Sequence, residues 1–98
     1  SENTLNNIFY FKGRQAVIDI LNFRIIKLKK TDNIVINLLE VYKNKKMPIL
    51  PIKAETLMVK YKIPEGKQLG KKLRIIEKEW VDNNFKISDE KIESIVKN

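Results

Sequence analysis

From Lys67 to Trp80 the chain alternates with the period of a helix. Leu69, Leu73, Ile76 and Trp80 fall at i, i+4, i+7 and i+11, which is one helical face. Lys67, Lys71, Arg74 and Lys78 repeat the same spacing two residues out of phase. Two residues turn a helix by about 200°, so the basic stripe lies nearly opposite the apolar one. One face is predicted to pack into a core and the other to hold four cations in solvent. Pro64 and Gly66 precede this helix as its entry turn, where the missing proline N–H has no intrahelical partner to lose.

The flanking segments read as shorter helices. Leu5, Ile8, Phe9 and Phe11 suit a helix that Gly13 ends or bends. Arg14 to Lys29 is a second, with Val17, Ile20, Leu21, Arg24 and Leu28 near one face and Phe23, Ile25 and Ile26 widening the apolar arc. Ile25-Ile26 also suits a strand, but no second strand-like run offers it a partner. Thr31 or Asp32 is the expected N-cap of a third helix. That helix carries two adjacent apolar stripes, Ile34/Leu38/Val41 and Val35/Leu39/Tyr42, and Lys43 to Lys46 close it with cations. Pro48 and Pro51 bracket Ile49-Leu50 and hold that stretch extended. Lys53 to Lys60 follows as a short helix with Leu57 and Met58 inward. Beyond Trp80 the trio Asp82-Asn83-Asn84 makes a turn. Ser88 is the expected N-cap of a last helix, with Ile87 stapled to Ile92, and Ile92, Ile95 and Val96 on its buried face. The expected fold is all-α: a compact bundle of about five to six short helices, no sheet, in a single domain over residues 1–98.

Composition narrows the chemistry. Histidine and cysteine are absent, which removes the commonest general base and metal ligand and any thiolate site. No apolar run reaches the roughly 18 residues a membrane helix needs, and the polar N-terminus shows no signal peptide, so a cytoplasmic chain without membrane contact is expected. Ser1 in the first position suggests a part of a longer protein. The net charge of +8 is uneven: residues 41–74 hold ten Lys/Arg against two acids, whereas residues 75–98 hold four against six. A general bias toward Lys, Ile and Asn raises the pI by itself, but it does not cluster the charge. The cluster favours a polyanionic partner.

No catalytic or metal site is expected in these residues. Metal-dependent chemistry on phosphates needs carboxylates that converge on the ions. Glu77 and Glu79 lie two residues apart on one helix and point away from each other, and Asp89 and Glu90 sit in a first helical turn, where acids serve the dipole.

From Met47 to Phe85 the order of features resembles the C-terminal part of bacterial tRNA nucleotidyltransferases (CCA-adding enzymes) and their poly(A) polymerase relatives. The matching residues are Leu50-Pro51-Ile52, Leu57-Met58, Ile63 with Gly66, Leu69-Gly70, Leu73, Trp80 and Asn84-Phe85, with Tyr10 to Arg14 as a looser upstream match. Ala54-Glu55 and Tyr61-Lys62 depart from it, standing where the family commonly has Gly-Asp and Leu-Gly. The resemblance implies a helical part that supports the enzyme body and holds tRNA, the remainder of the parent chain being a partner. The catalytic head, with its Mg2+ and nucleoside triphosphates, lies outside this chain, so the chain by itself is expected to be inert. Phosphate contacts suit such a role because they position RNA without reading its sequence. The candidates are Lys67, Lys71, Arg74 and Lys78, flanked by Lys53, Lys60, Lys62 and Lys72; a solvated helix face is the alternative for the same residues. Trp80 and Tyr61 are candidates for base stacking, with core packing the competing role for Trp80. A helical protein-interaction or oligomerisation module with incidental charge is the rival from another class, and apolar residues near Ile8 and Phe9 offer a surface for a homodimer. A DNA-reading helix–turn–helix ranks below both, since only Gln68 stands where a base-edge contact is needed.

Overall fold

A computed structural model describes residues 2–28 and 33–97. Among them are six helices and no strand: α1 (Glu2–Lys12), α2 (Arg14–Leu28), α3 (Asn33–Asn44), α4 (Ala54–Tyr61), α5 (Lys67–Asp82) and α6 (Asp89–Lys97). The all-α expectation holds. Thr31 and Asp32, expected to cap α3, lie outside the described residues. The chain divides into two compact units, Ser1–Pro48 and Ile49–Asn98.

In the first unit α2 packs against both α1 and α3. Gly13 takes φ +95° and its N–H bonds the Phe9 carbonyl at 3.1 Å, so the glycine ends α1 where a side chain would be strained. Phe9, Val17, Leu21, Val35, Leu39 and Tyr42 are buried. Phe9 therefore does not offer the exposed dimerising surface expected of it: it is fully buried, its ring edge-on to Tyr42 at 5.3 Å, and on α1 it is Phe11 that is exposed. Of the two stripes on α3, Val35/Leu39/Tyr42 is the buried one, while Ile34 and Val41 face solvent. The Tyr42 hydroxyl donates to the buried Asn6 Oδ1 at 2.8 Å. The end of α3 is held from a distance in sequence. Arg14 donates to the carbonyls of Tyr42, Lys43 and Lys45, filling the role expected of the local lysines.

In the second unit α5 packs against α4 and α6. Leu57, Leu69, Ile76, Ile92 and Ile95 form its core, with Leu50, Ile52, Met58, Ile63, Leu73 and Val96 packed around them. The extended stretch before α4 turns Leu50 and Ile52 inward and leaves Ile49 exposed. Trp80 is buried, as the stripe requires, and so is Val81, which the stripe did not include. The end of α5 is a Schellman turn. Asn84 takes φ +56°, the Phe85 N–H bonds the Trp80 carbonyl at 2.8 Å, and the Phe85 ring meets Trp80 edge-on at 5.1 Å. The start of α6 is capped as expected: Ser88 Oγ accepts the Lys91 N–H at 3.1 Å, with Ile87 packed on the same core as Ile92. Near its end Lys97 donates to Glu93 at 2.6 Å, and this bond holds the Glu93 carboxyl below its ordinary pKa and the Lys97 ammonium above its own.

Lys62 ends α4 in a left-handed conformation, φ 55°, ψ 39°. A Cβ in that region costs roughly 1–2 kcal/mol, and glycine avoids it. Lys62→Gly is therefore expected to stabilise the chain by about 1 kcal/mol, less the extra entropy glycine gives the unfolded state. Urea denaturation would read this as a higher midpoint at unchanged slope.

Candidate nucleic-acid interface

The apolar stripe of α5 faces the α4/α6 core, and that fixes the opposite face as surface. Lys67, Lys71, Arg74 and Lys78 are all exposed there. At 1.5 Å per residue and 100° per residue they form a row roughly 16 Å long within an arc of about 60°. The row is charged because sequence spacing and core packing act together: with Leu69, Ile76 and Trp80 buried, residues two positions away have no other place to go.

The cations of the row are not equivalent. Among the described residues no acid or carbonyl pairs with the side chain of Lys67, Lys71 or Arg74. Lys78 donates to Asp82 at 2.9 Å, one helical turn on. Glu79 meets Lys91 of α6 at 3.7 Å. Residues 67–74 carry four cations and no acid, whereas residues 75–82 carry three acids and one cation. Lys71, Arg74, Ile75, Lys78 and Glu79 line a shallow open depression on this face, with Ile75 partly exposed among the charges.

The flanking candidates separate further. Lys72 is half-buried and its ammonium donates to the Ile95 carbonyl at 3.0 Å. It fastens the last turn of α6 to α5, so its main partner is the fold. Lys60 stands over the Tyr61 ring at 5.5 Å and lines a small cleft with Thr56, Tyr61 and Asp89, on the side of α4 that meets α6. Lys53 and Lys62 are exposed at the two ends of α4. The structure therefore brings Lys67, Lys71, Arg74 and Lys78 together, and it places Lys60 and Lys72 in other contacts. Trp80 is occupied by Phe85, and Tyr61 is half-buried beneath Lys60.

The charged segment also divides. Lys43, Lys45 and Lys46 belong to the first unit; Lys45 lies over the Tyr42 ring at 5.4 Å. No group of three or more His, Cys, Asp or Glu side chains among the described residues converges to hold a metal ion. No described helix is long and apolar enough to cross a membrane. Comparison with family models, curated proteins and solved structures finds no match to this chain.

Proposed function

We propose that α5 is a phosphate-binding face for structured RNA, and that the chain is the RNA-holding C-terminal part of a tRNA nucleotidyltransferase, CCA-adding or poly(A)-adding. Nucleotide addition to the RNA 3′ end, with its Mg2+ and triphosphates, would belong to the parent enzyme's catalytic part. The observation that carries the RNA reading is the row Lys67-Lys71-Arg74, exposed and without an acid or carbonyl partner among the described residues, on a helix whose other face is core. Charges in such a row bind a phosphodiester backbone whatever its sequence, as an enzyme serving every tRNA requires.

The family part of the reading rests on the resemblance, and the packing lends it physical sense. Leu50, Ile52, Leu57, Met58, Ile63, Leu69 and Leu73 belong to the second unit's core, and Asn84-Phe85 make the turn that closes α5. Lys62, a departure where the family often has glycine, occupies a left-handed position that glycine would suit. Gly70 apart, the matching residues of this stretch are thus packing and turn residues. They support a shared scaffold, and the RNA contact is argued from charge alone.

Lysine acetylation with and without a folded tRNA transcript tests the interface. Lys67 and Lys71 are expected to be protected several-fold, with Lys86, Lys91 and Lys97 reacting as before. Uniform protection, or none at the row, would remove the proposal. A second reading, a protein-interaction module, is favoured by exposed Ile34 and Val41 on one stripe of α3. It predicts association without RNA, seen as a sedimentation coefficient that rises with protein concentration.

A further inference from the structure

Gly70 lies in the interior of α5, where glycine costs stability relative to alanine without any need for its special backbone freedom. A Cβ built at Gly70 meets nothing within 4 Å. Core packing therefore does not account for the glycine, and the fold would tolerate a side chain. What the glycine leaves is a patch of bare helix backbone. Lys67 and Arg74, three residues before it and four after, neighbour it on the helix surface, and Lys71 lies beyond them, about 100° round the helix. The charge distribution points to the same place. Among the described residues, Lys67, Lys71 and Arg74 in the N-terminal half of α5 meet no acid or carbonyl, while Lys78 is matched by Asp82 and Glu79 by Lys91 in the C-terminal half. A neutralised pair releases few counterions to a polyanion, so the C-terminal half adds little to binding.

We infer that the phosphodiester backbone of the bound RNA seats directly on the helix at Gly70, at the edge of the row beside Lys67 and Arg74 with Lys71 across the row, and that Lys78 lies outside this seat. This inference rests on the RNA-binding reading of α5. A missing Cβ allows the strand to approach the helix closely, and shorter charge separations strengthen each contact. The glycine gives up helix stability for access.

The test uses Gly70→Ala, Gly70→Gln and Lys78→Ala, each compared with the unaltered chain for thermal midpoint and for affinity to a folded tRNA transcript at fixed salt. Both Gly70 variants are expected to melt a few degrees higher, because both residues favour helix and have room. Both are expected to bind more weakly, by about threefold for Ala and tenfold or more for Gln. Lys78→Ala is expected to stay within about twofold. Gly70 variants that melt higher and bind unchanged would overturn the seat while leaving the RNA face standing. Loss of affinity in Lys78→Ala equal to that in a Lys71→Ala control would overturn its placement. If the unaltered chain binds no tRNA, the RNA reading fails and the seat with it.

Discussion

The chain carrying Lys67→Glu, Lys71→Glu, Arg74→Glu and Lys78→Glu together is expected to bind a folded tRNA at least a hundredfold more weakly than the unaltered chain at about 0.1 M salt. Each neutralised phosphate contributes about 0.9 to the slope of log affinity against log salt, so at 0.1 M each is worth roughly 0.9 powers of ten relative to 1 M. Three unpaired cations then supply between two and three powers of ten, and reversal adds repulsion to that loss. The four side chains are exposed and opposite the core, so helical circular dichroism should persist. New like-charge pairs arise at position 78, where the glutamate would face Asp82, and at position 74, three residues from Glu77, and a glutamine series avoids both. Affinity within threefold of the original, in a folded variant, would identify the row as a solvated face.

Ile76→Ala is expected to destabilise the chain by about 2–5 kcal/mol, the range for removing a branched aliphatic side chain from a closed core. Ile76 is fully buried and shares its cluster with Leu57, Leu69, Ile92 and Ile95, from all three helices of the second unit. A chain of this size is expected to have about 5–15 kcal/mol in total, so this one change removes a large fraction. The basic row is held in place by the same helix. Binding of tRNA should therefore fall in step with the folded fraction as urea is raised, and at a lower urea concentration in Ile76→Ala. A variant that unfolds early yet keeps full affinity would separate the row from the fold.

What could be read from the residues was local. The helical period of α5, the Ser88 cap with its Ile87 staple and the glycine ending α1 each depend on neighbours within about five positions. All three are present in the structure. What could not be read depends on distant partners. Arg14 reaches the carbonyls at the end of α3 from 28 to 31 residues away, and Tyr42 finds Asn6 across 36. No spacing rule announces such pairs. The same limit governs the candidate site. Lys72 looked like a flank of the basic row, but its place on α5 brings it to the Ile95 carbonyl. Two equal stripes on α3 were legible as two stripes, and only packing against α2 chose between them. Lys78 and Asp82 stand one turn apart and the pair was readable in principle.

The central claim is that α5 holds a nucleic-acid backbone by charge. The measurement that tests it most directly is the affinity of this chain for a folded tRNA transcript across a range of monovalent salt. A linear fall of log affinity with log salt is expected, with a slope near −2.7, from three cations at about 0.9 each on a duplex. An affinity that does not change with salt, or no binding at 0.05 M, would contradict it.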